Sequence, residues 1–336
     1  MKEYLRKVSE RKHLTREEAA DAMRQIMEGQ ATPAQIAALL IGLKMKGEQT
    51  EELLGFVEVM REKSVRVRVE DPDAIDLCGT GGDGQGTFNV STAASFVVAG
   101  AGVTVAKHGN RSVSSQCGSA DVLKALGIRI EIDVSTAERC INDLGIGFLF
   151  APAFHPAMKH AAQPRAELGT KTCFNLLGPM TNPAGVRRQL VGAFSRTAAG
   201  RMADVFDRLG ALSVFVVSSH DGLDEISLHA PTSVIEVHED RPQKEYEINA
   251  DTFQLNSTPT VKILGGDASK NASIILEILN GSKIPHREYV VANAAFGLLA
   301  SSRAKSIEEG VHLAQESIDS GKARKKLREL VALTNR

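Results

Sequence analysis

Five glycines fall within the eight residues Gly79-Thr80-Gly81-Gly82-Asp83-Gly84-Gln85-Gly86, directly after the apolar stretch Ala74-Ile75-Asp76-Leu77-Cys78. No other feature constrains the chain as tightly. Glycine at that density does not pack a core. It serves where the backbone takes positive φ or comes close to a ligand, and between a strand and a helix it exposes a row of N–H donors suited to an anion. The residues that follow, Asn89-Val90-Ser91-Thr92 through Gly100, read as a capped helix whose first turn carries hydroxyls and an amide. Its unpaired N–H groups and partial positive charge add to the same anion site.

Gly79-x-Gly81-x-x-Gly84 also matches the dinucleotide fingerprint, in which the next strand ends on an acid that holds a ribose hydroxyl. Here the next strand, Val103 to Ala106, runs into Lys107-His108-Gly109-Asn110-Arg111, so the charge has the wrong sign. A P-loop is excluded because no glycine frame is followed by the required Lys-Ser/Thr pair. Two successive strands therefore end in loops facing one crevice. One donates backbone amides; the other brings Lys107, Arg111, Ser112, Ser114, Ser115 and Ser119. Such a site holds more than one phosphate.

The segments GTGGDGQGTFNVSTA at 79–93 and KHGNRSVSSQCGSAD at 107–121 resemble the anthranilate phosphoribosyltransferases, within the wider nucleoside phosphorylase and phosphoribosyltransferase family. The resemblance extends over nearly the whole chain, through Arg165, Phe174-Asn175, Leu177-Gly178-Pro179 and Asp224-Glu225. Lys171, where many relatives carry arginine, is a small departure.

Composition sets the outer limits. A chain of 336 residues, 43% apolar and 24% charged, is long enough for a large α/β domain plus a smaller one. Its net charge of −1 lacks the basic excess of a nucleic-acid binder. The local run from Lys322 to Arg328 reads as the solvated face of a C-terminal helix. Cys78, Cys117, Cys140 and Cys173 are too widely spaced for a zinc, redox or secreted framework and read as reduced thiols. The charged start and the lack of a membrane-spanning apolar run give a cytoplasmic expectation.

The first 65 residues carry only helix signals: Thr15 with Glu18, Thr32 before Pro33, a start at Thr50, and stops at Gly29 and Gly47. The apolar set Ile36, Leu39, Leu40 and Leu43 is either internal packing or a homodimer seam. Beyond residue 70, strands alternate with helices, one of them opened by Ser135 with Glu138, and imply a mostly parallel sheet. Val234–His238 with Lys244–Ile248 reads as a separate hairpin. Residues 156–186 break the pattern with prolines, predicting short helices and turns. The expected architecture is a small helical domain, residues 1–69 with about 156–186, and an α/β domain, residues 70–155 with 187–336, with the active site in the cleft between them.

Arg165 in the broken segment has two readings: an ion pair with Glu167, or a planar fork gripping a substrate carboxylate. Asp224 and Glu225 follow a strand ending at Val217, where open α/β sheets place their ligands. A multi-phosphate site needs positive charge beyond Lys107 and Arg111, and Mg2+ bridges phosphates through one or two carboxylates. Asp224 and Glu225 are thus the candidate metal ligands, joined by the Ser91 hydroxyl. Asp83 suits either a ribose contact or the loop's own shape.

The resemblance implies transfer from phosphoribosyl diphosphate to anthranilate, with Lys107, Asp224 and Glu225 as the catalytic set. It implies a donor site of Gly79, Gly82, Asp83, Thr87, Asn89, Val90, Ser91, Thr92, Lys107, His108, Gly109, Asn110, Arg111, Ser112, Val113, Ser114, Ser115 and Ser119. The acceptor falls to Gly79, Asn110 and Arg165, with His108 as proton acceptor or wall and His155 as structure or tunnel lining. It further implies a homodimer through the helical domain and no nucleic-acid or membrane partner. Two rivals compete: a pyrimidine nucleoside phosphorylase, which needs no paired metal acids, and a non-catalytic nucleic-acid-binding relative, which would carry a basic face.

Overall fold

A computed structural model describes residues 1–82, 84–111, 116–255 and 263–336. Asp83, Ser112, Val113, Ser114 and Ser115 lie outside the described residues. Four helices open the chain: α1 (Lys2–Ser9), α2 (Arg16–Met27), α3 (Pro33–Lys46) and α4 (Thr50–Glu62). Thr15 and Glu18 form a reciprocal capping box at α2, Thr32 and Gln35 one at α3, and Gly47 ends α3 at φ 84°. Thr50 is the first residue of α4, behind Gln49. Ile36, Leu39, Leu40 and Leu43 are at most 1% exposed within the single chain, so they are packing rather than a seam.

The α/β part begins with β1 (Ile75–Gly79), α5 (Val90–Gly100), β2 (Val105–Gly109), α6 (Ser119–Ala125), α7 (Val134–Leu144) and β3 (Ile146–Phe150). The cap of α7 is Asp133, not Ser135: its carboxylate accepts the Thr136 amide at 2.7 Å, while Glu138 accepts the Arg68 amide. An aspartate at the cap position outcompetes the serine two residues on because its charge meets the helix dipole.

The chain then crosses back over the helical bundle. A short α8 (Ala151–Phe154) and a 3₁₀ turn over Pro156–Met158 lead into α9 (Lys159–Leu168) and α10 (Cys173–Met180). The prolines do break the segment into pieces, though Pro164 and Pro179 sit inside α9 and α10. α9 packs on α2 and α3, and α10 on α4.

Next come β4 (Arg188–Gly192), α11 (Arg196–Arg208), β5 (Ser213–Ser219), β6 (Thr232–His238) and β7 (Arg241–Ile248). The chain ends in α12 (Ala268–Leu279), α13 (Pro285–Ala300), α14 (Ile307–Asp319) and α15 (Lys322–Thr334), whose Lys325 and Arg324 are exposed as expected. One seven-stranded sheet runs in the order β3-β2-β1-β4-β5-β6-β7. Its first five strands are parallel. The β6–β7 hairpin is not separate: β6 pairs with β5 along seven residues and extends the sheet antiparallel. Hydrogen bonding to an open edge wins over an isolated two-stranded ribbon, which is marginal in water. Charged residues on exposed β7 guard the new edge.

One apolar core lies between the sheet and α5, α13, α14 and α15, and a second joins the helical bundle and α10 through α11 to the opposite sheet face. The fold is thus an N-terminal helical domain against a larger α/β domain with a mostly parallel sheet. Among the described residues no disulfide forms, all four cysteines are buried, and no helix is long and apolar enough to cross a membrane.

Candidate active site

Parallel strands bring the loops after β1, β2 and β5 to one edge, and two glycines let them touch. A Cβ on Gly192 would lie 1.5 Å from the Asp224 carbonyl oxygen, and one on Gly79 2.5 Å from Asp224 Oδ2. The acidic loop therefore rests directly on the ends of β1 and β4. Asp224 Oδ2 accepts the Gly81 amide at 2.7 Å, and Glu225 Oε1 accepts the Ser91 amide at the start of α5 at 3.0 Å. Desolvation, then the like charge of Asp224, holds the Glu225 carboxyl above its ordinary range, against the opposing pull of Lys107 and Ser91.

Lys107 is buried. Its ammonium donates to the Leu77 carbonyl and reaches Ser91 Oγ at 3.5 Å, between the two donor loops. Next to it His108 donates from Nδ1 to the Gly178 carbonyl at 3.2 Å, which leaves Nε2 as the acceptor nitrogen. The His155 ring lies 5.2 Å away, and among the described residues neither Nε2 has a partner. Burial, reinforced by His155, pushes His108 down to about 3, and burial takes His155 to about 4, so both rings are neutral at pH 7.

These groups open onto a cavity of about 490 Å³ lined by Gly79, Gly82, Thr87, Asn89, Ser91, Thr92, Lys107, His108, Gly109, Asn110, Arg111, Ser119, Asp224 and Glu225. Val90 is the exception: its side chain is 1% exposed in the core and its amide donates to the Phe88 carbonyl at 2.8 Å. A helix's first residue turns inward when its neighbours face the ligand. Thr92 Oγ1 is buried at this wall without a hydrogen-bond partner among the described residues. Arg111 bonds Glu131 at 3.0 Å, and Ser119 Oγ donates to the Asn110 carbonyl at 3.2 Å.

Arg165 lines the far side of the same cavity from α9, its guanidinium 5.0 Å from the Phe174 ring centre. The ion pair with Glu167 does not form, since Glu167 instead accepts from Gln163 at 2.8 Å. Among the described residues Arg165 has no acidic partner, and desolvation lowers its affinity for its proton. This half-buried fork, with no carboxylate partner among the described residues, faces the glycine loop, Lys107 and the start of α5 across the cavity.

Two family models match the chain: a glycosyl transferase family, helical bundle domain over residues 2–64, and a glycosyl transferase family, a/b domain over residues 71–324. It is 51% identical to an anthranilate phosphoribosyltransferase of Pelotomaculum thermopropionicum, over 99% of this chain and 96% of that one. The chain belongs to the anthranilate phosphoribosyltransferase family. The crystal structure of the Thermus thermophilus member superposes with a TM-score of 0.93 at 40% identity, covering 99% of both chains. A Saccharomyces cerevisiae anthranilate phosphoribosyltransferase, in complex with PRPP (phosphoribosyl diphosphate) and Mg, matches with a TM-score of 0.89 at 28% identity, over 99% of this chain and 97% of that one.

Within this family member the donor set fits a hard divalent cation. The Asp224 carboxylate and the desolvated Glu225 carboxyl follow one another in the acidic loop, with the Ser91 amide on Glu225 and the Ser91 hydroxyl near Lys107. Magnesium is held by one or two carboxylates and completes its shell with phosphate and water, a requirement that Asp224 and Glu225 meet. Several positioning residues escape sequence reasoning. Asn293 on α13 accepts the Ile226 amide at 3.0 Å and donates to the Ile226 carbonyl at 3.1 Å, bracketing the acidic loop. Asn271 on α12 donates to Asn89 Oδ1 at 3.0 Å, so Asn89 holds the wall together instead of capping α5. A lone asparagine within an apolar helix is the one local signal either leaves.

Proposed function

We propose that the protein transfers the phosphoribosyl group of 5-phosphoribosyl 1-diphosphate to the amine of anthranilate, releasing diphosphate and forming N-(5-phosphoribosyl)anthranilate, a step of tryptophan biosynthesis. The observation that carries this reading is one cavity lined on one side by the glycine loop, Lys107 and the start of α5 and on the other by Arg165, which has no acidic partner among the described residues. Family membership over nearly the full length supports it above a pyrimidine nucleoside phosphorylase or a nucleic-acid-binding relative.

Asp224, Glu225 and the Ser91 hydroxyl are the groups that hold Mg2+. Held there, Mg2+ would supply positive charge against the departing diphosphate. Lys107, the glycine-loop amides other than that of Gly81, and Asn89, Thr92 and Ser119 face the same leaving group. Their fixed dipoles act where charge appears as C1 of the ribose becomes oxocarbenium-like. Arg165 grips the acceptor carboxylate by its planar fork, with Gly79 and Asn110 at the wall, so that the amine meets C1 opposite the diphosphate. Neutral His108 keeps an Nε2 lone pair at this wall as a resting place for the amine proton.

The helical unit of residues 1–69 with 156–186 brings Arg165 to the acceptor, and the α/β unit of residues 70–155 with 187–336 carries the donor site and the Gly79 and Asn110 wall. The packing of α9 and α10 on α2 to α4 supports that division. A homodimer through the helical domain is supported by exposed Met45 at the end of α3, 72% accessible, and sedimentation equilibrium tests it. The four thiols and the lack of a membrane-crossing helix among the described residues agree with work in the cytoplasm. The decisive assay mixes the protein with magnesium, anthranilate and phosphoribosyl diphosphate and follows anthranilate fluorescence. A signal that does not fall, or falls equally without magnesium, refutes the assignment.

A further inference from the structure

β1 and β2 carry the two donor loops, yet they pair poorly. Their register holds only at Ile75 with Val105, whereas β1 pairs with β4 along all five residues and β2 with β3 along five. Past that single pair the strands are stitched by side chains. The His108 amide donates to Asp76 Oδ1 at 3.1 Å, and the Leu77 carbonyl takes the Lys107 ammonium. Asn182 Nδ2 donates both to Asp76 Oδ2 and to the Ala106 carbonyl, each at 2.8 Å. Asn182 follows α10, so it belongs to the segment that carries Arg165 and Phe174.

Asp76 and Asn182 are 0% and 4% exposed, and neither lines the cavity. Burial raises the Asp76 carboxyl to about 6, with Lys107, Asn182 and the His108 amide pulling it back. A buried acid in a sheet is costly, and an apolar residue would satisfy packing alone. Its presence there calls for another reason.

We propose that Asp76 and Asn182 form a buried positioning pair that sets the Lys107–His108 end of β2 against the donor cradle and ties it to the segment bearing Arg165. The pair thereby makes donor and acceptor binding depend on one another. Its chemistry predicts that asparagine cannot take the place of Asp76. An asparagine at 76 has only one oxygen for two N–H donors. Turning the Asn182 amide to compensate would set its NH2 against the Ala184 amide, which now donates to Asn182 Oδ1 at 2.9 Å. No arrangement satisfies every group.

The inference rests on the proposed substrates, and its test is a double-mutant cycle in the full chain with Asp76→Asn and Asn182→Ala. Each single variant is expected to raise the KM for phosphoribosyl diphosphate and for anthranilate at least fivefold, and the double variant no more than the worse single. A fall in Tm with both KM values within twofold of wild type makes the pair merely structural and overturns the proposal. So do a change confined to one substrate and effects that multiply in the double variant. Should Asp76→Asn fail to fold, Asn182→Ala and Asn182→Asp carry the test, because an acceptor-side residue must still move the donor KM. Should the wild type itself show no turnover, only the functional reading falls. The cycle is then read by calorimetry with magnesium diphosphate, where loss of affinity in the Asn182 variants is expected and unchanged affinity overturns the pair.

Discussion

Arg165 and the acid pair divide the two substrates at the scale of single residues. Replacing Arg165 with alanine removes a charged bidentate donor worth roughly 1.5 to 3 kcal/mol. The expected outcome in steady-state kinetics is an anthranilate KM raised by about tenfold or more, with the donor KM nearly unchanged. The double change Asp224→Asn with Glu225→Gln should lower kcat by about a hundredfold or more and blunt its response to magnesium, because the leaving group loses its shield. The same variant should melt higher than wild type in metal-free buffer, since burial and the Asp224 charge disfavour the ionised Glu225 there. Calorimetric scans with and without chelator check that sign.

Elements hold these residues by contacts between distant parts of the chain. Asn293 of α13 satisfies both polar groups of Ile226, and Asn293→Ala leaves them buried and unpaired at a cost of about 2 to 4 kcal/mol. Chemical denaturation should show that loss, and magnesium titration should show weakened activation because the acidic loop is no longer fixed. The histidine pair links the β2 end to the α8 turn. Its rings titrate near 3 and 4 when folded and near 6.5 when unfolded, so the unfolded chain binds more protons between those values. Their contribution to stability is full above about pH 6.5 and is lost as pH falls through 4 toward 3. Thermal melts of wild type and His155→Phe across pH 7 to 4 should therefore converge as pH falls, the variant showing the shallower decline.

The whole molecule responds to ligand as one body if the cleft is the site. Magnesium with phosphoribosyl diphosphate binds only the folded chain, so at a hundred times Kd it should add about 2.7 kcal/mol, read as a rise of several degrees in Tm. Chelating the metal should remove most of that rise. At this scale the sequence was clear about alternating strands and helices, but it left the hairpin of β6 and β7 apart from the sheet. It also left α3's apolar stripe open between core and seam. Both are questions about which surface meets which, and the burial of Leu39 and Leu43 and the β5–β6 register answer them.

What sequence alone determined was local: the density of glycine that forces an open backbone after β1, the caps at Thr15 and Thr32, and acids following a strand end. Each is set by a residue and its near neighbours, whose conformational preferences act before any fold exists. Only tertiary structure decided that Glu167 would leave Arg165 to the cavity, and that Asp76 would meet Asn182 and Asn293 the acidic loop. Those partners lie 106 and 67 residues apart. Polar groups that far apart find each other only when packing buries them together, and a buried donor or acceptor must then take the partner that packing supplies.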